Sequence, residues 1–173
     1  TVFEASKKPG GLLRFGIPEY RLPKKILDWE IRNISSMNVK IRTNQRLGKN
    51  LKFGDLKEFD ALFISIGLEK SRPLMIPGER VQGVFSALDL LRTVNEGRKV
   101  RLGERVAVIG GGNSAVDAAR CALRLGSLPV ILYRRSIDDM PALSNERHDL
   151  EREGIEILPF VMPSRIMAKE GRF

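Results

Sequence analysis

Cysteine and histidine each occur only once in the 173 residues, as Cys121 and His148. One cysteine excludes an intramolecular disulfide, a redox-active dithiol and a cysteine-ligated iron–sulfur cluster within this sequence, and no metal site is predicted. Such sparing use of cysteine fits a cytoplasmic protein. We interpret Cys121 as a small packed residue. His148 is interpreted as a solvated surface residue, because it stands in a polar stretch with Asp149 and Glu151.

The sequence also lacks long apolar runs and a targeting signal. No apolar segment approaches the roughly 20 residues that span a bilayer, so we predict a soluble protein that does not enter a membrane. It begins Thr1-Val2-Phe3-Glu4, without an initiator methionine or a basic-then-apolar leader. That start predicts the interior of a longer chain. With 42% hydrophobic and 29% charged residues, one ordinary domain or two small ones are expected.

Negative charge is in short supply: 30 Lys and Arg against 21 Asp and Glu give a formal net charge of +9. The basic residues are spread along the chain and do not form a block interleaved with aromatic residues. This favours a solvated basic surface over a nucleic-acid-binding face, so no nucleic-acid partner is predicted.

The first residues are predicted to contribute a strand end, a loop and a helix. Residues 1–4 are typical of the end of a strand, and residues 5–25, rich in Gly, Pro and Lys, are expected to form an ordered loop. Helical spacing from Pro23 to about Asn38 predicts a helix. Trp29 and its apolar neighbours are expected to face a core.

Two strands are predicted in the next part of the chain. Val39–Thr43 is the first, and the polar residues 44–60 are expected to make a short connection or a small hairpin. Ala61–Ile66 is a continuous apolar run that ends at Gly67. Such a run is typical of a strand buried on both faces, in the centre of a parallel sheet.

A domain boundary is predicted at Arg72–Gly78, which contains two prolines and a glycine. It divides the sequence into residues 1–78 and residues 79–173. The second part is expected to open with a helix between Ser86 and Gly97, with Asp89 in a capping-box position.

A strand, a glycine-rich turn, a helix and a second strand are then predicted in succession. The apolar strand Arg105–Ile109 leads into a G-x-G-x-x-A turn, the helix runs to about Leu125, and Pro129–Tyr133 forms the next strand. After a polar helix, Ile155–Leu158 is expected to be the last strand. This order is the one that a dinucleotide-binding fold requires.

The glycine-rich turn predicts a site for the pyrophosphate of a dinucleotide. Gly110 permits the tight turn, Gly112 lets the backbone approach the phosphates, and small Ala115 allows the helix to pack closely on the strand. The helix N-terminus presents free N–H groups and the positive end of its dipole to negative charge. The predicted contacts are Gly110, Gly111, Gly112, Asn113, Ser114 and Ala115.

Two arginines, Arg134 and Arg135, follow the second strand where an NAD-binding fold places an acid. A carboxylate there would accept hydrogen bonds from ribose hydroxyls but repel a 2′-phosphate. Guanidinium groups offer forked, charge-assisted hydrogen bonds and can stack on adenine. We therefore predict NADPH as the cofactor at this turn; the alternative is that both are ordinary surface arginines.

Four strings of the sequence together resemble one family of flavoenzymes. The sequence is similar to the small, or beta, subunit of NADPH-dependent glutamate synthase, and to the flavin domains of dihydropyrimidine dehydrogenase and of NADH-dependent ferredoxin:NADP oxidoreductases. The resemblance implies an α/β protein with two Rossmann-like dinucleotide-binding lobes, an FAD lobe and an NADPH lobe, each incomplete in this chain. It is carried by Gly10-Gly11-Leu12-Leu13, Gly16-Ile17-Pro18-Glu19-Tyr20-Arg21-Leu22-Pro23, Ile64-Ser65-Ile66-Gly67, and the turn block ending Asp117-Ala118-Ala119-Arg120.

The resemblance also implies which residues of the first lobe contact FAD. Glu4 falls where the family has the acid that holds the adenosine ribose, and Gly67 falls where a turn passes the cofactor. The full expected set is Glu4, Gly11, Leu12, Arg21, Leu47 and Gly67. The family's first strand with its own glycine turn, its cysteine-rich amino-terminal region and its later sheet elements are absent, so this piece by itself is expected not to turn over.

In such a family NADPH passes a hydride to FAD, and electrons continue to iron–sulfur centres. Those centres are expected only in the missing part or in a partner, which would be a large subunit or a ferredoxin-like electron acceptor. Since the flavin carries the chemistry, no catalytic acid or base is nominated. Asp117, near the start of the nucleotide helix, is interpreted as a helix-dipole and capping residue.

Two other functions stay open. A flavoenzyme of the disulfide-oxidoreductase type shares the layout but needs a C-x-x-C or similar pair. Only Cys121 is present, so a missing segment would have to contain that pair. A nucleotide-binding module without catalysis fits a natural protein as short as this sequence. The residues identify neither the final electron acceptor nor the partner subunit.

Overall fold

A computed structural model describes residues 1–168 of the chain. Within these residues it contains two parallel sheets, one of two strands and one of three, and five α-helices. The helices are α1 (Gly11–Phe15), α2 (Lys24–Ser36), α3 (Ala87–Asn95), α4 (Asn113–Arg124) and α5 (Ser144–Arg152). The strands are β1 (Val2–Phe3), β2 (Ile41–Arg42), β3 (Arg105–Ile109), β4 (Leu128–Tyr133) and β5 (Glu156–Pro159).

The larger sheet consists of β3, β4 and β5, side by side in that order and all parallel. Ala107 lies beside Val130, and Ile131 lies beside Ile157. Parallel neighbours need a crossover connection, which α4 supplies between β3 and β4 and α5 between β4 and β5. The predicted α/β class and the predicted strand, turn, helix and strand are confirmed.

The main hydrophobic core lies between this sheet and the helices α3, α4 and α5. Val116 and Ala119 of α4, Ile131 of β4 and Leu150 of α5 are all completely buried, and Leu90 of α3 joins the same cluster. Small side chains on α4 let the helix axis approach the sheet closely, which is how the glycine-rich turn at its N-terminus is held against β3.

Helix α3 begins as the sequence predicts. Ser86 is its N-cap, and the Ser86 hydroxyl accepts a hydrogen bond from the backbone N–H of Asp89 at 3.1 Å. The Ser86 hydroxyl also donates to the Asp89 carboxylate at 2.6 Å. The Ser86 side chain thus satisfies one backbone N–H that the helix itself leaves open, and the Asp89 carboxylate holds that hydroxyl in place.

The smaller sheet is a pair of two-residue strands, in which Val2 lies beside Ile41. Helix α2 is confirmed, with Pro23 at its N-cap position. The prediction of a loop over residues 5–25 is wrong in one respect, because it contains the short helix α1. That helix is stabilised by the buried Arg14, whose guanidinium pairs with Asp28 of α2. A local pattern of Gly, Pro and Lys cannot reveal such a tertiary ion pair.

Between the two sheets the chain departs from the predicted strand at Ala61–Ile66. No strand is formed there, and Phe63 and Ile66 are 90% and 80% exposed. A strand buried on both faces needs hydrogen-bonded neighbours and covering layers. Within residues 1–168 the pair β1–β2 does not extend to this segment, so its apolar side chains have nothing to pack against.

The exposed face of α2 corrects a second expectation. Trp29 is 55% exposed and Met37 68% exposed, whereas Leu27 is buried. Among the described elements α2 packs against α1, so it buries one narrow stripe and leaves the rest of its apolar residues in solvent. Residues 44–60 form a connection with a short 3₁₀ helix at Phe53–Leu56, without the strands of a hairpin.

The predicted boundary segment is bonded to residues near the other end of the chain. The backbone N–H of Ile166 donates to the carbonyl of Pro77 at 2.8 Å. Only a glycine fits at position 78, because the Cβ of any other residue would lie 2.0 Å from the carbonyl oxygen of Ile166. The division into residues 1–78 and 79–173 stays a prediction. None of the helices in the described part of the chain is both long and apolar enough to cross a membrane.

Candidate dinucleotide-binding site

The turn between β3 and α4 has the geometry of a phosphate cradle. Gly110 continues the sheet, since its N–H donates to the carbonyl of Leu132 at 3.0 Å, and then turns the chain with a φ of 131°. A side chain at that φ would be strained. The Cβ of Ala115 lies 3.5 Å from where a Cβ on Gly110 would stand, so a larger residue at 115 would crowd the turn.

Gly112 faces an open space. It is the N-cap of α4, and no heavy atom lies within 4 Å of the position that a Cβ would occupy. A side chain would therefore meet no protein atom there, but it would fill the space in front of the helix N-terminus. This is the place where a bound pyrophosphate would approach the backbone.

Gly111 has a different role from its neighbours. A Cβ on this residue would lie 2.5 Å from Cε2 of the Tyr133 ring. The ring is buried at the end of β4, and its hydroxyl donates to the carbonyl of Asp139 at 2.8 Å. Gly111 is thus a packing glycine that lets the aromatic ring close against the turn, a role that the sequence motif did not show.

Backbone donors are left open at the N-terminus of α4. Among the described residues, the N–H groups of Gly112, Asn113 and Ser114 have no acceptor. Ser114 is exposed, and the side-chain oxygen of Asn113 accepts from the N–H of Leu143 at 3.0 Å. Unpaired N–H groups at the positive end of a helix dipole bind anions. The residues present therefore fit the phosphates of a dinucleotide.

Arg134 and Arg135 directly follow β4, and both are exposed. Neither guanidinium takes part in an ion pair within residues 1–168. Because β3 and β4 are parallel neighbours, the two arginines and the glycine-rich turn lie at the same edge of the sheet. The structure thus brings together the residues that the sequence assigns to the turn and to the 2′-phosphate.

Asp117, one turn into α4, corrects our interpretation of it as a capping residue. It is only 3% exposed, and its Oδ2 accepts from Arg21 Nη1 at 2.7 Å. Within the described residues, its Oδ1 has no hydrogen-bond partner. Burial raises the pKa of this carboxyl to about 6, against the lowering effect of Arg21. The buried position of the Asp117 carboxylate is therefore explained by its pairing with Arg21, 96 residues away, and not by the helix dipole.

Arg21 also reaches the first turn of α5. Its Nη2 lies 2.6 Å from Oε1 of Glu146, which is 5% exposed. Arg120 approaches the other oxygen of Glu146 at 3.2 Å. The prediction that Arg21 contacts FAD stays a prediction, but in this structure both of its terminal nitrogens pair with carboxylates, one on α4 and one on α5.

The ion pairs continue along α4 toward the end of α5. Arg120 and Arg124 lie 2.7 and 2.8 Å from oxygens of Glu153. The hydrogen bond from Arg124 lowers the pKa of Glu153 to about 2. The Tyr20 ring lies beneath both guanidinium groups, 4.9 and 4.1 Å from their carbons. Burial raises the pKa of the Tyr20 hydroxyl.

The sequence contains one indication of this network. Asp117 and Arg120 stand among the small apolar residues of α4, on a helix face that must be buried. A buried charge needs a partner, so these two positions predict a distant acid and a distant base. Which residues supply them, here Arg21 and Glu153, only the tertiary structure decides.

The residues expected to contact FAD are only partly brought together. Glu4 follows β1; its Oε1 accepts from the N–H of Ser6 at 2.6 Å, and its carbonyl accepts from Gln45 at 2.8 Å. This joins Glu4 to the turn that carries Leu47. No hydrogen bond within residues 1–168 links either of them to Gly67, which is exposed.

Gly11 and Leu12 lie at the start of α1, and Leu12 is 38% exposed. Within the described residues, no group of three His, Cys, Asp or Glu side chains is placed to hold a metal ion. The side chain of His148 is 68% exposed, and Cys121 is buried, as expected for both.

Comparison with known proteins shows which family the sequence matches. Residues 18–172 match the pyridine nucleotide-disulphide oxidoreductases. The chain is 42% identical to the beta subunit of NADP(+)-dependent formate dehydrogenase from Moorella thermoacetica, with 99% of this chain and 25% of that protein covered. It is 34% identical to the small chain of NADPH glutamate synthase from Halomonas elongata, with 98% of this chain and 39% of that protein covered. The chain thus spans well under half of the length of these relatives.

A solved structure of similar fold supports the same family. A point mutant of FprA from Mycobacterium tuberculosis superposes with a TM-score of 0.73 at 27% identity, covering 87% of this chain and 40% of that one. The resemblance to the glutamate synthase small subunit is therefore confirmed. On these grounds the chain belongs to the family of pyridine nucleotide-disulphide oxidoreductases.

Proposed function

We propose that this chain is the part of a flavin-dependent oxidoreductase that binds NADPH and places its nicotinamide against FAD. The observation that carries the proposal is the open turn at Gly112, with free backbone donors and two exposed arginines at the same sheet edge. NADPH bound there supplies a hydride, and the flavin passes electrons onward. The contacts proposed are Gly110–Ala115 for the pyrophosphate and Arg134 with Arg135 for the 2′-phosphate.

The first lobe is proposed to contribute to the FAD site. The Glu4 carboxylate stands at the end of β1, partly buried and oriented by the Ser6 N–H, as suits an acid that accepts hydrogen bonds from ribose hydroxyls. The proposed set is Glu4, Gly11, Leu12, Arg21, Leu47 and Gly67. The unpaired apolar segment 61–66 supports a sheet completed by strands from outside these 173 residues.

Electrons are proposed to leave the flavin for iron–sulfur centres, either elsewhere in the natural protein or in a partner subunit. Two relatives are named as a beta subunit and a small chain, which supports a larger partner. The glutamate-synthase-like reaction is the finer proposal, at 34% identity to that small chain. A dithiol mechanism carried by this chain would need a second cysteine, and the sequence has only Cys121, which is buried within α4.

The test is a calorimetric titration of the natural protein with NADP⁺ and with NAD⁺. We expect NADP⁺ to bind at least about tenfold more tightly, a difference of about 1.4 kcal/mol. The double variant Arg134→Ala, Arg135→Ala should lose this preference, because no cation then pairs with the 2′-phosphate. The matched control is Arg101→Ala, Arg105→Ala, which removes two exposed arginines before and at the start of β3, at the opposite edge of the sheet. Equal affinity for the two nucleotides in the unaltered protein would contradict the assignment.

A further inference from the structure

The segment Gly16–Pro23 meets the second lobe through charged side chains that the proposed NADPH site does not include. Asp117 of α4 and Glu146 of α5 are both buried. Asp117 accepts a hydrogen bond from Arg21 at 2.7 Å, and Glu146 forms an ion pair with Arg21 at 2.6 Å. Asp117 depends on this guanidinium most, because its Oδ1 has no partner within the described residues and a buried charge without a partner is costly. Glu146 also pairs with Arg120 at 3.2 Å, so Arg21 is the group that connects the two carboxylates.

Arg21 is held in place from its own side as well. Its N–H donates to the carbonyl of Pro18 at 3.1 Å, which closes a turn. The ammonium of Lys24 donates to the carbonyls of Ile17 and Leu22 on either side. The guanidinium is therefore presented by an internally bonded turn, and its position reports the position of the whole segment.

The two carboxylates stand close to the glycine-rich turn. Asp117 lies one helical turn beyond Asn113, and Glu146 lies in the first turn of α5. The residues that lead into α5 are bonded to the turn itself: Ala142 donates to the carbonyl of Gly111 at 3.0 Å, and Leu143 donates to the side chain of Asn113. Arg21 thus links α4 to α5 close to the hydrogen bonds that join the residues before α5 to the glycine-rich turn and to Asn113.

We propose that Arg21, held by Asp117 and Glu146, is a positioning residue that sets the N-termini of α4 and α5 around the phosphate site. It thereby couples nucleotide binding to the placement of the Gly16–Pro23 segment. The inference rests on the proposed function, and it assigns Asp117 and Glu146 a part in nucleotide binding without contact to the nucleotide. Since coupling is reciprocal, a nucleotide in the turn also steadies the segment that adjoins the proposed FAD side.

The first test is the affinity of the full natural protein, with its flavin bound, for NADP⁺ by calorimetry. Arg21→Lys replaces a planar fork by a single ammonium that cannot serve both carboxylates in the same geometry. We expect this variant and Asp117→Asn to bind NADP⁺ at least about tenfold more weakly. The matched control is Arg14→Lys, since the Arg14 side chain is 8% exposed against 20% for Arg21 but pairs with Asp28 of α2 and not with α4 or α5. Its affinity should equal that of the unaltered protein.

A second variant separates positioning from mere charge balance. Arg21→Met, Asp117→Asn, Glu146→Gln removes the three charges together and roughly keeps side-chain volume. We expect its unfolding temperature to stay near that of the unaltered protein while NADP⁺ binding stays weakened. If this variant binds NADP⁺ normally, or if both Arg21→Lys and Asp117→Asn do, the inference is overturned and the proposed function stands. If the unaltered protein does not bind NADP⁺, the proposed function and the inference fall together.

Discussion

Three adjacent glycines form the turn after β3, and each meets different surroundings. Position 110 requires glycine because of its positive φ, and position 111 requires it because a Cβ would lie 2.5 Å from the Tyr133 ring. At position 112 a Cβ would meet no protein atom, so the protein itself does not require glycine there. A glycine that the protein itself does not need is best explained by a ligand that comes close to it. The motif therefore combines two structural glycines with one for which we propose a binding role.

This difference predicts opposite effects of two neighbouring substitutions. Gly111→Ala should lower the free energy of unfolding by about 1–3 kcal/mol, because the new methyl group overlaps the buried ring of Tyr133. Gly112→Ala should leave stability nearly unchanged, since its φ of −90° suits alanine and its Cβ meets open space. It should instead weaken NADP⁺ binding at least about tenfold. Urea unfolding and calorimetry on each variant check this, and a stable Gly111→Ala would refute the packing argument.

At the scale of elements, α4 and α5 differ in how they are attached. Helix α4 is buried along most of its length, whereas α5 is polar and is anchored mainly by the completely buried Leu150 and by the ion pairs of Glu146 and Glu153. A helix with so few apolar contacts depends strongly on each of them.

Leu150→Ala should therefore lower the free energy of unfolding by about 2–5 kcal/mol, since it leaves a cavity in the main core. Leu128→Ala is the matched control, because the same truncation at a residue 62% exposed should change stability by no more than about 0.5 kcal/mol. Urea unfolding of both variants measures the difference. Equal effects would mean that α5 is not held to the core in this way.

For the whole molecule, two buried or half-buried acids make stability depend on pH in opposite directions. The pKa of Asp117 is raised from 3.8 to about 6, chiefly by burial, so between these values the folded protein keeps a proton that the unfolded chain has lost. Its contribution to the free energy of unfolding falls as pH rises through this range. The pKa of Glu153 is lowered from 4.5 to about 2, chiefly by the hydrogen bond from Arg124, so its stabilisation is present above 4.5 and is lost as pH falls toward 2.

Urea unfolding of the natural protein between about pH 3 and pH 7 tests both signs. Relative to the unaltered protein, Asp117→Asn should become progressively more stable as pH rises from about 4 to about 6. Glu153→Gln should show its deficit above about pH 4.5 and approach the unaltered protein toward pH 2. A constant difference between Asp117→Asn and the unaltered protein across pH 4–6 would show that the Asp117 pKa is not raised.

The sequence by itself determined the three-stranded sheet and the glycine-rich turn between β3 and α4. Alternation of apolar strands with a helix and the spacing of Gly110, Gly112 and Ala115 are local patterns, so the parallel sheet and the phosphate cradle follow from the residues within about 30 positions. The position of Arg134 and Arg135 beside the turn could be predicted because a parallel sheet brings the carboxyl ends of its strands to one edge, and their contact with a 2′-phosphate stays a prediction.

Only the tertiary structure decided the remainder. Whether Ala61–Ile66 forms a strand depends on neighbouring strands, and whether Trp29 is buried depends on what covers α2. The pairing of Arg21 with Asp117 joins positions 96 residues apart, which no local periodicity records. Gly111 was recognised from the motif, but its reason, the Tyr133 ring, became visible only when β4 lay beside the turn. Such contacts depend on where distant residues meet, and composition and spacing alone do not specify that.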